Sequence, residues 1–114
     1  MQIKNIQPVY FSPTHTSAKI VTTIAEGMNI IVNKEIDLTY PSTNQKTLLP
    51  DTLAIIGVPT YAGRVAPTAL ERLQKIKGDN TPAIIVVLYG NRDYEDALLE
   101  LRDTAKQLGF VPIA

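Results

Sequence analysis

The chain alternates between short apolar runs typical of strands and longer repeats typical of helices. Four apolar runs predict β-strands, at residues 6–11, 53–58, 83–88 and 110–114. The runs at 53–58 and 83–88 are apolar at nearly every position, which favours strands that are covered on both faces. Residues 35–38 alternate between polar and apolar, and this pattern predicts a half-exposed strand at the edge of a sheet.

Three helices are predicted between these strands. Apolar residues from 18 to 28 recur with the 3.6-residue period of one helix face. Pro67 suits the first turn of the second helix, where its missing N–H costs little, and Asp93 is placed to cap the third. Glycines near the ends of the three repeats predict where the helices stop: Gly27, Gly78 and Gly109.

The order of the elements predicts one α/β domain over residues 1–114. Strands that alternate with helices form a parallel sheet with right-handed crossovers and helices on both faces. Pro8 is unusual in a strand that should be internal, because proline has no N–H for the ladder. We therefore expect Pro8 at the beginning of its strand, before pairing is complete.

Composition narrows the classes of function. Eleven basic and eleven acidic side chains balance, so there is no electrostatic reason to expect a nucleic acid or an anionic membrane as partner. The chain has no cysteine, which removes disulfides, thiol catalysis and iron–sulfur ligation. No apolar stretch approaches the ~20 residues that span a bilayer, and the N-terminal residues do not resemble a signal peptide. We expect a soluble, cytoplasmic protein.

Hydroxyl residues fill the first loop that follows a predicted strand. In parallel sheets ligands bind beyond the carboxyl ends of the strands. Residues 12–17 join such a strand end to a helix N-terminus, where unpaired N–H groups and the helix dipole attract an anion. This chemistry suits a phosphate without any Lys or Arg. The alternative is that Thr14 or Thr16 simply caps the helix.

The next two strand-end loops each carry glycine and tyrosine. Residues 59–64 read Pro-Thr-Tyr-Ala-Gly-Arg, and residues 89–94 read Tyr-Gly-Asn-Arg-Asp-Tyr. Tyr61 and Tyr94 could flank a flat ring by offset stacking. Together with the first loop, they predict one anion cradle beside a site for a planar heterocycle.

In these three loops the sequence resembles flavodoxins. The family's phosphate loop, hydroxyl-x-Thr-Gly-x-hydroxyl, is matched at Ser12, Thr14 and Ser17. Its second loop is matched by Tyr61-Ala62-Gly63, and its third, Gly-Asp-x-x-Tyr-Glu, is similar to residues 90–95. The residues at positions 10–14, 63–64 and 89–92 look most like those of the flavodoxin modules that are fused to a bacterial-type ferredoxin domain in electron-transfer proteins.

The resemblance implies a three-layer α/β sandwich with a parallel sheet of order 2-1-3-4(-5) and FMN as cofactor. The first loop would hold the phosphate, Tyr61 and Tyr94 would face the two sides of the flavin, and the Ala62–Gly63 peptide would lie near flavin N5. Gly90 and Asn91 would approach the pyrimidine edge. The implied FMN site comprises Ser12, Thr14, His15, Thr16, Ser17, Thr60, Tyr61, Ala62, Gly63, Gly90, Asn91, Arg92 and Tyr94.

Two arginines are unusual beside a flavodoxin flavin. Arg64 and Arg92 would either favour the anionic, fully reduced flavin and raise the potential of that couple, or be solvated rim residues.

The sequence departs from the flavodoxin pattern at two places. His15 occupies a glycine position, so it would carry a steric cost if that position needs a positive φ. The chain stops inside the fifth strand, so the last helix of the family is missing and the domain is expected to be incomplete. An apolar face left open in this way predicts a homodimer, an aggregation-prone fragment or a piece of a longer polypeptide.

Three functions compete at this point. The first is an FMN-dependent electron carrier that works with a redox partner protein or a fused ferredoxin-type domain. The second is a degenerate domain of the same fold, without flavin, that acts as an interaction or assembly module. The weakest is a phosphate-handling enzyme, because the first loop has neither Cys nor Asp as a nucleophile and His15 has no partner at a readable spacing.

Overall fold

The computed structural model of the chain describes residues 2–42, 44–61, 64–88 and 94–114, and of Tyr61, Tyr94 and Glu95 the backbone only. The helices in these residues are α1 (Thr16–Glu26), α2 (Pro67–Leu73) and α3 (Tyr94–Gln107). The strands are β1 (Asn5–Tyr10), β2 (Ile31–Val32), β3 (Ile36–Asp37), β4 (Lys46–Leu48), β5 (Thr52–Tyr61), β6 (Arg64–Val65), β7 (Ile76–Gly78), β8 (Thr81–Leu88) and β9 (Phe110–Pro112). None of the helices within these ranges is long and apolar enough to cross a bilayer.

A mostly parallel sheet lies at the centre of the molecule, which confirms the predicted α/β class. Its strands follow the order β2-β1-β5-β8-β9, and β3 continues the β2 edge beside β1. If β2 and β3 are counted as one interrupted strand, this order is 2-1-3-4-5 along the chain. β6 pairs antiparallel with β5, and β4 and β7 form a separate parallel pair.

Helices cover both faces of this sheet. α1 packs on β1 and β5, while α3 packs on β6, β8 and β9. β5 serves both cores: Leu53 and Ile55 lie in the cluster with α1, and Ile56 and Val58 lie in the cluster on the opposite face. This double burial confirms the prediction drawn from the unbroken apolar run at 53–58, since a one-sided strand would alternate.

Pro8 lies in the middle of β1, fully buried, so the expectation that it begins the strand is wrong. The edge strand adapts to it. Ile6 pairs with Val32 and Val9 pairs with Ile36, so the edge carries one more residue than β1 opposite Pro8. This is the arrangement of a β-bulge, which tolerates a residue without an N–H.

Gln7 bridges the bulge. Its Nε2 donates to the carbonyl oxygens of Pro8 at 3.0 Å and Lys34 at 2.9 Å. The side chain is buried on the face opposite α1, and its Oε1 has no hydrogen-bond partner in the part of the chain that the structure describes. A side-chain amide thus replaces the ladder bond that proline cannot make.

The predicted helix ends are confirmed in two of three cases. Gly27 is the C-cap of α1, and Gly109 follows α3 with φ of 100°. Gly78 does not end α2, which stops at Leu73; it is the last residue of β7. The proposed cap Asp93 lies outside the described residues.

Part of the sheet is open on the α1 side. β9 extends the ladder beyond Pro112, because Ile113 N–H donates to Ala83 O at 2.8 Å. On this side Val111 is 42 % and Ile113 56 % exposed, next to the half-buried Ile84 of β8. No helix within the described ranges covers them, so they form an apolar strip beside α1.

Candidate functional site

The carboxyl ends of three neighbouring strands meet at one edge of the sheet. Tyr10 of β1 pairs with Gly57 of β5, and Pro59 of β5 pairs with Leu88 of β8. Thr60 Oγ1 donates to Leu88 O at 3.0 Å and ties the ends of β5 and β8 together. The carboxyl ends of β1, β5 and β8 therefore lie side by side, as the sequence predicts.

Tyr10 is buried at the end of β1. Burial raises the pKa of its phenol above the ordinary value of 10.0, and the negative charges of Asp37 and Glu35 add to the increase. At neutral pH the group is a neutral phenol and offers no base at this edge.

The loop after β1 is a tight turn. His15 N–H donates to Ser12 O at 3.1 Å, so residues 12–15 close a β-turn with Pro13 in its favoured second position. The turn is fixed to the edge of the sheet because Ser12 N–H donates to Thr39 Oγ1 at 2.8 Å. The start of α1 is thereby held at a defined place beyond β1.

Ser12, rather than a threonine, supplies the side-chain cap of α1. Its Oγ accepts the N–H of Ala18 at 3.0 Å. His15 is the N-cap residue, with φ of 67° and ψ of 0°, and its side chain accepts no capping hydrogen bond. The interpretation that Thr14 or Thr16 caps the helix is therefore wrong.

His15 adopts the left-handed conformation expected of a glycine position. This confirms that the residue carries backbone strain, of about 1 kcal/mol for a non-glycine side chain. The side chain itself is exposed.

Three backbone N–H groups around the start of α1, those of Thr14, Thr16 and Ser17, find no acceptor among the described residues. Thr14 and Thr16 are exposed, and their hydroxyl oxygens lie 3.4 Å apart, whereas Ser17 is buried. Free donors at the positive end of a helix form an anion-binding arrangement. We call Thr14, Thr16 and Ser17 the anion seat.

The structure describes less of the other two loops. Tyr61 ends β5, and its backbone pairs with Arg64 of β6. Tyr94 begins α3. Ala62, Gly63, Gly90, Asn91 and Arg92 lie outside the described residues, as do the side chains of the two tyrosines. The stacking of two phenol rings on one heterocycle stays a prediction.

No family model matches the chain, and no curated protein matches it either. The described ranges hold no group of three or more His, Asp or Glu side chains arranged to bind a metal ion.

An ion pair that the sequence did not predict joins β6 to α3. Arg64 Nη2 lies 2.5 Å from Glu100 Oε2, and Glu100 Oε1 also accepts the N–H of Val65 at 3.0 Å. The hydrogen bond from Arg64 is the main cause that lowers the pKa of Glu100, and the same contact raises the pKa of Arg64. The Arg64 side chain is 68 % exposed, as a solvated arginine at the rim would be, and its contact with Glu100 offsets part of its positive charge.

Glu100→Gln is expected to destabilise the protein by about 1 kcal/mol at pH 7 and by less at pH 3. The pKa of Glu100 in the folded state lies below its ordinary value of 4.5. Its stabilising effect is therefore full above pH 4.5 and is lost as the pH falls through the folded-state pKa. Urea unfolding of both proteins at the two pH values measures the difference. Glu71→Gln, on the exposed side of α2, is the matched control; an effect of Glu100→Gln that is equal at both pH values would contradict the charge pairing.

Proposed function

We propose that this chain is a flavodoxin-like module that binds FMN at the carboxyl edge of its sheet and carries electrons for a partner protein. The strand order supports it. From β1 the chain turns to β2 on one side, whereas β5, β8 and β9 follow on the other. Ligands of open α/β sheets bind at this reversal, between the ends of the first strand and its neighbour.

The observation that carries the proposal is the anion seat at this reversal point. FMN ends in a phosphate, and three free N–H groups on a helix start fit such a dianion without a basic side chain. The exposed hydroxyls of Thr14 and Thr16 add further donors. Ser12 is already committed to Ala18 N–H, so its contribution to phosphate binding stays a prediction.

FMN supplies the redox chemistry when bound, and the protein residues hold and orient it. In this proposal Tyr61 and Tyr94 flank the flavin, and residues 62–63 and 90–92 approach its edges. The partner is a redox protein or a fused ferredoxin-type domain.

The alternative is a domain of the same fold that has lost the flavin and acts as an interaction module. Two observations favour it: the strained His15 at the anion seat and the apolar strip on β8 and β9. A strip of this kind would suit association of two copies or contact with another domain.

A flavin titration separates the two functions. We expect FMN to bind with quenched flavin fluorescence and riboflavin to bind at least about 100-fold more weakly, because riboflavin lacks the phosphate and its charge-assisted hydrogen bonds. Thr16→Glu should weaken FMN binding by roughly tenfold or more, since it places a carboxylate beside the phosphate. An acidic residue in the first turn favours the helix, so the fold should not suffer.

Gln107→Glu is the matched control, because it adds the same charge at the exposed far end of α3. It should leave FMN binding unchanged. Unquenched flavin emission at micromolar FMN would favour the interaction module. Equal binding of FMN and riboflavin would contradict the anion seat. His15→Gly then tests whether the strain at the seat limits binding.

A further inference from the structure

A second concavity lies away from the anion seat, between the segment that follows β3 and the C-terminal end of α2. Its volume is about 290 Å³. Apolar side chains of Ile36, Leu38 and Ile76 and the cationic side chains of Lys46, Arg72 and Lys75 line it. We call it the α2 cavity. Nothing in the proposed FMN site uses these residues.

The charge of the α2 cavity favours an anion. Asp37 also lines it, but its Oδ1 accepts the N–H of Thr39 at 2.9 Å. In the described part of the chain, no carboxylate lies within 4.0 Å of Lys46, Arg72 or Lys75. Three cations against one carboxylate leave a net positive lining. Their attraction for an anion is stronger in a partly desolvated cavity than in bulk water.

Arg72 holds the wall of the cavity in place. Its Nη1 donates to Leu38 O at 3.0 Å and to Thr39 O, and its guanidinium lies 5.8 Å from the centre of the Phe11 ring. These contacts join α2 to the segment after β3. The cavity is therefore largely formed before a ligand arrives, which reduces the ordering cost of binding.

We propose that the α2 cavity binds a small amphipathic acid, an apolar ring that carries a phosphate or a carboxylate. The ring would lie on Ile36, Leu38 and Ile76, and the anionic group would contact Lys46 and Lys75. Small-molecule sites run from about 300 to 1,000 Å³, so the cavity lies just below this range and suits a ligand of about one ring.

Phenyl phosphate and benzoate are the probes, one for each anionic group, and backbone amide shifts in NMR titrations are the readout. We expect saturable shifts at residues 36–42 and 72–76 with one or both probes. Lys75→Gln should weaken binding by roughly tenfold, because it removes a charge-assisted hydrogen bond. Lys77→Gln, an exposed change on β7 outside the cavity, should have no effect.

Several results would overturn the proposal. Shifts confined to residues 14–17 would place the anion at the anion seat instead. Inorganic phosphate binding as tightly as phenyl phosphate would remove the role of the apolar wall. Equal losses of probe affinity in Lys75→Gln and Lys77→Gln would show that binding depends on the overall positive charge and not on the cavity. The FMN titration is independent of these outcomes, because Thr16→Glu changes the anion seat and leaves the α2 cavity intact.

Discussion

Gly109→Ala is expected to destabilise the protein by about 3 kcal/mol or more. Gly109 has φ of 100°, a conformation that an alanine rarely adopts. A Cβ at this position would also lie 2.1 Å from the carbonyl oxygen of Gly78. That oxygen belongs to the backbone of β7, so the clash moves a strand rather than a flexible side chain. Urea unfolding measures the loss.

Gly27→Ala is the matched control on another helix end. Gly27 has φ of −72°, and the nearest atom to a Cβ added there would be Thr23 O, at an ordinary 3.5 Å. Alanine fits this conformation, so the stability should stay level or rise by about 0.5 kcal/mol. Similar losses in the two variants would show that the close approach of Gly78 and Gly109 does not matter.

The two glycines Gly78 and Gly109 also show what the sequence reveals about helix ends. Gly109 follows a long apolar repeat, so the end of the helix at this residue can be predicted from the local sequence. Gly78 looks the same in the sequence, yet it is a strand residue that touches Gly109. A Cβ added to Gly78 would lie 2.9 Å from the carbonyl carbon of Gly109. The need for glycine at this position therefore comes from a residue far along the chain, which local pattern does not reveal.

Strands are predictable where burial on both faces leaves an unbroken apolar run, as in β5 and β8. The pair of β4 and β7 is not predictable in this way. β4 is three residues long and exposed at Lys46 and Thr47, so its pairing depends on how the rest of the chain closes rather than on periodicity. The internal position of Pro8 escapes prediction for a similar reason, because the bulge that accommodates it lies on a different strand.

For the candidate site, the sequence predicts the loop and its neighbours but not the role of each side chain. The position of residues 12–15 between β1 and α1 is local information. That Ser12 caps Ala18 depends on the turn geometry at His15. The contact of Arg64 with Glu100 joins residues 36 positions apart and leaves no periodic trace in the sequence.

Gly57→Ala is expected to cost about 2 to 3 kcal/mol, because α1 crosses β5 at this glycine. A Cβ on Gly57 would lie 2.3 Å from Cγ2 of Val21, which is fully buried in α1. Ser17 O lies 3.8 Å from the same point, so the first turns of the helix sit directly over the strand. Urea unfolding of the variant measures the cost.

A double-mutant cycle with Val21→Ala identifies the cause. Val21→Ala removes the methyl group that would clash. The loss of unfolding free energy in the double variant should therefore be smaller than the sum of the two single losses by at least about 1 kcal/mol. If the losses are additive, the helix does not depend on the close approach at Gly57.

The same cycle tests the proposed function. Gly57→Ala displaces the anion seat and should weaken FMN binding, and the added Val21→Ala should restore it. If the double variant regains stability but does not bind FMN, the result would contradict the proposed function, because α1 would be back in place and the phosphate still unbound.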